Sequence, residues 1–372
     1  MGRHTRSESF RMRSLLAATA LLLALSPVAR AADDPGRLAP VLQSRLIFNG
    51  IATTKDGRTF LPFQRQTPGE GIEVGEWVDG GPKPFPDALW NDFPARGDAA
   101  HAFVGVNALR IGPDGQLWIV DKGAPGPGQD VLPGGAKVVV VDLSTGKVSR
   151  TIPLDAVTGR KSFVDDICFN GDRAYLTDAG QPGLIVVDLK TNRMWRALDG
   201  DRSVTAERTL MADGKPLVDP QGKPVVIHAD QLEVSPDGKT LYFQPCSGPM
   251  YRIETRFLDD PDTADAERRQ HVAFFADTPS TGGTAIDAAG TIYSSDTEHL
   301  RILKIAPDGA ISTLVASPEL DWVDAMWIDD AGNLLMPAAQ LNRTPAQNHG
   351  VDAVKLPTVV YKLPIGATPV RR

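Results

Sequence analysis

A short hairpin phrase that returns along the chain constrains the fold more than any other feature of these 372 residues. The clearest copy, NALRIGPDGQLWIVDKG from Asn107 to Gly123, reads as a strand, a Pro-Asp-Gly turn and a second strand ending in Asp121. It comes back as DDICFNGDRAYLTDAG from Asp165, DQLEVSPDGKTLYFQPCSG from Asp230, GGTAIDAAGTIYSSDTEH from Gly282 and DAMWIDDAGNLLMPAAQ from Asp324, with a weaker copy, NGIATTKDGRTFLPF, from Asn49. Further β-branched runs lie between the copies, such as AKVVVVDLSTGKVSRTI from Ala136 and GLIVVDLKTNRMWRAL from Gly183, so each repeat reads as a four-stranded meander. Such units stack radially around a channel. The pattern therefore predicts an all-β fold, a six-bladed β-propeller of four-stranded antiparallel blades formed by residues 32–372 as a single domain. The final VVYKLPI near Tyr361 is expected to complete the last blade. The Pro- and Gly-rich stretch 62–98, the hairpin-like ADGKPLVDPQGKPVV from Ala212 and the charged stretch 259–269 are expected to be surface loops, the last of them solvated decoration.

Aligned on their turns, the copies place Asn49, Asn107, Asp165, Asp230, Gly282 and Asp324 at one position of the first strand. In a propeller that strand lines the channel, so these side chains should form a ring about the axis. Converging carboxylate and amide oxygens suit a hard cation such as calcium, which makes Asn49, Asn107, Asp165, Asp230 and Asp324 the candidate metal ligands. Three acids facing one another without a cation would raise one another's pKa, which suits a catalytic proton equally well and marks Asp165 and Asp230 as candidate catalytic groups. The competing reading is ordinary loop chemistry, in which Asn and Asp at the start of a strand satisfy nearby backbone groups. Two residues ahead of the column stand Phe163, His228 and Trp322, which share its strand face. His228 is the candidate proton carrier, while Phe163 and Trp322 are candidate ligand-pocket walls. Asp121, Asp178 and Asp296 close the second strand and are expected to brace the inter-strand loops, and His101, His299 and His349 fall in loops away from the ring.

The N-terminus shows Arg3, Arg6, Arg11 and Arg13, then the apolar run from Leu15 to Leu25, then Ala29-Arg30-Ala31, which is the order of a cleavable Sec leader over residues 1–31. A secreted or periplasmic protein is expected. The apolar run is shorter than the roughly 20 residues a bilayer span requires. The chain carries a net charge of -7, with five Arg and one Glu in residues 1–31, so the mature form would carry -11. That charge argues against nucleic acid as a partner. Cys168 and Cys246 are open to either a disulfide or two buried thiols. No G-x-S-x-G, H-E-x-x-H or strand-to-helix phosphate loop is present, which excludes a nucleotide cofactor site of those kinds. A small-molecule ligand is expected, bound by a monomer with no membrane contact after cleavage.

The ordered phrases LWIVDKG, AKVVVVDLSTGKVSRTIPL, AYLTDAGQPGLIVVDL with MWRAL, and LEVSPDGKTLYFQPCSGPMYRIET resemble the major royal jelly protein and Yellow family across most of the mature chain. The resemblance implies a secreted six-bladed propeller; the family includes dopachrome-converting proteins, salivary binders of biogenic amines and many bacterial relatives. The chain is more distantly similar to the regucalcin and gluconolactonase propellers, which hold calcium at the channel mouth through Glu, Asn and Asp. Asn107, Asp165, Asp230 and Asp324 stand at comparable places, and Asn49 stands where those lactonases often use Glu. Three functions follow as expectations. The first is a dopachrome-conversion-like isomerase working by acid-base chemistry at the mouth. The second is a calcium-dependent lactone hydrolase. The third is a non-catalytic binder of a cationic aromatic compound, held by the acidic ring with Phe163 and Trp322.

Overall fold

Short apolar runs on either side of a Gly-containing turn pair as antiparallel strands at all six expected places. The computed structural model describes residues 1–2, 38–65 and 71–371. The leader expected over residues 1–31 lies, apart from Met1 and Gly2, outside them. The described chain enters with β1 (Ala39–Ser44) and then builds blade one from β2 (Ala52–Thr53), β3 (Thr59–Pro62), β4 (Val74–Val78) and β5 (Gly81–Pro84). Blade two holds β6 (Val106–Ile111), β7 (Leu117–Lys122), β8 (Ala136–Asp142) and β9 (Lys147–Pro153). Blade three holds β10 (Val164–Asn170), β11 (Arg173–Asp178), β12 (Gly183–Asp188) and β13 (Met194–Ala197). A small hairpin, β14 (Met211–Ala212) and β15 (Lys215–Pro216), precedes blade four, which holds β16 (Ala229–Val234), β17 (Thr240–Pro245), β18 (Met250–Glu254) and β19 (Ala273–Ala276). Blade five holds β20 (Thr284–Ile286), β21 (Ile292–Asp296), β22 (Arg301–Ile305) and β23 (Ile311–Ala316); blade six holds β24 (Trp327–Ile328), β25 (Asn333–Ala338) and β26 (Thr358–Pro364).

The fold is all-β, a propeller of six four-stranded antiparallel blades, as the repeat implied. Blade six takes its outermost strand from the other end of the chain, because β1 pairs with β26. Thr358 secures this closure, its hydroxyl donating to Ser44 O at 3.2 Å and Leu46 O at 3.0 Å. The first strands of successive blades face one another around the axis, and a parallel bridge between Gly50 and Ala325 joins blade one to blade six. The core lies between neighbouring blades, for example where Trp118 meets Phe169 edge-on with ring centroids 5.0 Å apart.

Two expectations about loops are corrected. The stretch 62–98 is not loop throughout: it supplies β4 and β5, which turn at Asp79 and Gly80 with φ of 54° and 80°. Pro82 and Pro84 disguise β5, yet they fit there because the outermost strand of a blade needs no N–H on its free edge. The stretch 259–269 is not merely solvated. It contributes to two short helices, α1 (Arg256–Asp259) and α2 (Asp265–His271), and Arg268 is buried, donating to Phe257 O at 3.1 Å and Asp260 O at 2.9 Å. The hairpin read from Ala212 does form, and Ala212 and Leu217 pack on Cys246, Trp322 and Ala339. No helix among the described residues is long and apolar enough to cross a membrane.

Removing residues 1–44 would leave the edge of β26 unpaired and expose the pocket that Leu42 fills. The truncated protein should lose at least about 3 kcal/mol in chemical denaturation, the cost of losing a large buried side chain with its strand. Unchanged stability would show that β1 does not close the propeller.

Candidate functional site

An extra residue in the first strand of blades two, three and four aims the column side chains at the axis. In blade two Val106 pairs with Asp121 and Ala108 with Val120, so Asn107 has no partner across the ladder. The same shift falls between Val164 and Ile167 in blade three and at Asp230 in blade four. A bulge of this kind frees a residue from strand alternation and redirects its side chain. Hydrogen bonds then stitch one blade to the next. Asn49 Nδ2 donates to Asn107 O at 2.7 Å, Asn107 Nδ2 donates to Asp165 O at 3.4 Å, Thr177 Oγ1 donates to Asp230 O at 2.7 Å, and Gln231 Nε2 donates to Gly282 O at 3.0 Å. Blade five carries glycine in the column because it runs against blade six: a Cβ on Gly283 would lie 2.4 Å from the Asp324 carbonyl, and one on Gly282 would lie 2.6 Å from Val323 O.

Asp121 and Asp178 hold the loops that deliver these strands, while Asp296 braces the connection between β21 and β22. Asp121 accepts from the backbone N–H groups of Val104, Gly105 and Gly123, and Lys137 Nζ donates to it at 2.6 Å. Asp178 accepts from Phe163 N, Gln181 N and Ser162 Oγ and pairs with Arg196, while Asp296 accepts from His299 N and pairs with Arg301. All three are buried. Asp121 and Asp178 position the start of the first strand of their blades, and Asp296 braces the turn that follows β21.

The ring itself is acidic and largely buried. Asn49, Asn107, Asp165 and Asp230 are buried and Asp324 is half-buried. Burial raises the Asp165 pKa well above the usual carboxylate range, and the neighbouring Asp230 charge raises it further. Burial also raises Asp230, to about 6, while its hydrogen bond with Asp165 favours its ionised form. The two carboxyls therefore titrate as a coupled pair, in which the proton is favoured on Asp165 while Asp230 is ionised. Asp324 is raised by burial and by the Asp230 charge, and the Trp322 indole N–H donates to its Oδ2 at 3.0 Å. Cys246, a free buried thiol like Cys168, lies beside Asp230 and donates to Thr281 O at 3.0 Å.

The flanking residues have distinct settings. Trp322 is buried beneath the β14–β15 hairpin, in a left-handed conformation with φ of 50°. Phe163 is half-buried and carries Lys122 Nζ over its face, 4.9 Å from the ring centroid. His228 Nδ1 accepts from Ala206 N at 3.1 Å, and burial lowers the imidazole pKa, so this histidine is neutral with its proton on Nε2. Its lone pair is already engaged, which leaves it a donor. The three positions ahead of the column thus do not form one wall. Sequence reading passed over Lys122 and Glu73. The signal for Lys122 was present, a lysine closing a strand that begins with the apolar run LWIV. Glu73 sits in the stretch read as loop, and burial raises it to about 7 despite Arg65 at 3.0 Å.

Two cavities lie away from the ring. One of about 70 Å³ is at the far end of the channel, lined by Arg110, Glu233, Trp327 and the C-terminal residues Val370 and Arg371. Another of about 380 Å³ lies between the β14–β15 hairpin and residues 342–353. Among the described residues, no three His, Cys, Asp or Glu side chains gather into a group that could hold a metal ion by themselves.

The architecture and the ring together define a class: six-bladed propellers with a polar, oxygen-lined channel mouth. The family model for major royal jelly protein matches residues 104–365, and the chain belongs to that family. It is 25% identical over 236 residues to Protein yellow of Drosophila melanogaster, covering 58% of this chain and 41% of the relative, so it matches about two fifths of the length of that curated protein. Among solved structures it is similar to a gluconolactonase from Xanthomonas campestris, with a TM-score of 0.55, 14% identity and coverage of 88% and 89% of the two chains. It is similar also to a luciferin-regenerating enzyme, with a TM-score of 0.56, 10% identity and coverage of 90% and 97%. At such identities these structures attest the fold alone.

Because the folded protein holds Asp230 at a raised pKa, the unfolded chain releases that proton at lower pH, and stability falls as pH rises from about 4 to about 6. Asp230→Asn should therefore be more stable than the wild type by about 1 to 3 kcal/mol at pH 7.5 and gain little at pH 4. Denaturation at the two pH values in calcium-free buffer checks this. An equal difference at both would remove the shared proton from the account.

Proposed function

We propose that the channel mouth binds a small oxygenated or aromatic molecule and that the Asp165–Asp230 pair moves a proton on it, in the manner of a dopachrome-conversion-like isomerase. The observation that carries this reading is two carboxyl groups from neighbouring blades, buried and hydrogen-bonded to each other, both raised by burial. The ionised member takes a proton from a carbon beside a carbonyl, and the protonated member returns one elsewhere on the ligand. The pair ends with the single proton it began with, as an isomerisation requires. Burial suits the task, because a raised pKa keeps a carboxylic acid protonated near neutral pH. Phe163 offers an aromatic face at the mouth, and His228 Nε2–H a fixed donor.

A second reading rests on one orphaned atom. Asn49 Oδ1 is buried without a donor, and such an oxygen beside Asn107, Asp165, Asp230 and Asp324 suits a hard cation in its chemistry. Calcium would draw on these five residues, using amide oxygens to complement acids that do not make a metal group alone, and the Asp165–Asp230 proton would leave on binding. Bound there it would polarise a lactone carbonyl. A non-catalytic amine binder is favoured less, because the Lys122 amine already stands over the face of Phe163 that would hold an aromatic amine.

The test is turnover of dopachrome and of a gluconolactone by the mature protein, with and without chelator, beside Asp165→Asn and Asp230→Asn. Isomerisation should persist in chelator and fall at least about 100-fold in each variant. Lactone turnover abolished by chelator would replace this reading with the calcium one. Tight binding of an aromatic amine without turnover of either compound would replace both, and unchanged turnover in both variants would remove the ring from the chemistry.

A further inference from the structure

Lys122 ends β7 as a lysine that is only 7% exposed. Three carboxylates lie near enough to act on it, Glu73, Asp121 and Asp165. Each is already committed. Asp121 is taken by Lys137 Nζ at 2.6 Å and by three backbone N–H groups. Glu73 is taken by Arg65 at 3.0 Å and by Val106 N at 2.6 Å. Asp165 is hydrogen-bonded to Asp230. Among the described residues, none of the three forms an ion pair with Lys122, whose amine instead stands over the face of Phe163. The surroundings hold it there: Lys122 N donates to Gly105 O at 3.0 Å, and any Cβ on Gly105 would press on the lysine stem at 3.3 Å.

A buried amine whose neighbouring acids are engaged elsewhere, set against an aromatic face, is the arrangement in which lysine acts as a nucleophile toward carbonyl compounds. Burial lowers its pKa, which favours the unprotonated amine. We propose that Lys122 is a covalent anchor of the mouth, condensing reversibly with an aldehyde or ketone ligand. The inference builds on the reading of the mouth as a small-molecule site and narrows the ligand to carbonyl compounds.

The step balances without a further reagent. The Nζ lone pair forms a bond to the carbonyl carbon while the C–O π pair moves to oxygen. A proton held by the Asp165–Asp230 pair passes to that oxygen, and one amine proton returns to the pair. The second amine proton leaves with the oxygen as water when the C=N bond forms. No group is oxidised or reduced.

The experiment treats the full protein with benzaldehyde and cyanoborohydride at neutral pH and maps the benzylated lysines by mass spectrometry. Lys122 should be labelled at least about 10-fold faster than the exposed Lys55, Lys147 and Lys190, although it is far less accessible. Lys122→Arg should lose that adduct and keep the labelling of the others. Labelling confined to exposed lysines would overturn the proposal, and the wild-type map alone gives that answer if the variant does not fold. Labelling needs no turnover, so a Lys122 adduct without isomerase activity would count against the acid-pair reading only, and isomerisation without the adduct would count against Lys122 only.

Discussion

Two buried carboxyl groups from neighbouring blades, Asp165 and Asp230, lie close enough that they cannot both be ionised without cost. This conflict organises the mouth. It requires a proton or a cation between the acids, and so ties the protonation state of the ring to everything that binds there. It also exists only because the first strands of blades three and four each carry an extra residue at that level. A regular ladder would have turned those side chains onto strand faces that pack between blades.

The cost of holding the acids is met by structure around them. Asp121 and Asp178 are buried carboxylates as well, but each accepts from backbone N–H groups and a basic side chain, so they rigidify the loops that feed the ring. In blade five Ser295 does this work, its hydroxyl accepting from Gly282 N and Gly283 N. Further along the channel a second tier is neutralised differently. Arg110 pairs with Asp166 and lies 3.8 Å from Glu233, and Thr284 donates to Glu233 at 3.0 Å. Among the described residues, the mouth differs from both settings in that Asp165, Asp230 and Asp324 form no ion pair with a basic side chain.

Much of this was legible in the chain itself. The six hairpin phrases located every first and second strand, and their alignment located the column. Their failures share a cause, since each depends on something beyond local pattern. β5 was hidden by prolines that only an outer edge tolerates, and the pairing of β1 with β26 joins residues more than 300 positions apart. The bulges are invisible in composition, because an extra residue has no signature until its partner strand is known. Lys122 looked like the charged end of a strand, and its character emerges only when Asp121 and Glu73 prove to be occupied. Family membership was carried by ordered phrases, while the chemistry rests on tertiary neighbours.

Asp165 and Asp230 titrate at the axis as one coupled pair. Carboxyl-carbon NMR of aspartate-labelled protein, followed from pH 3 to pH 9 beside Asp165→Asn and Asp230→Asn, tests it most directly. The account predicts two coupled signals, one titrating near 6 and the other well above it, each collapsing toward simple behaviour when its partner is replaced. Independent titration of both carboxyls near 4 would contradict it.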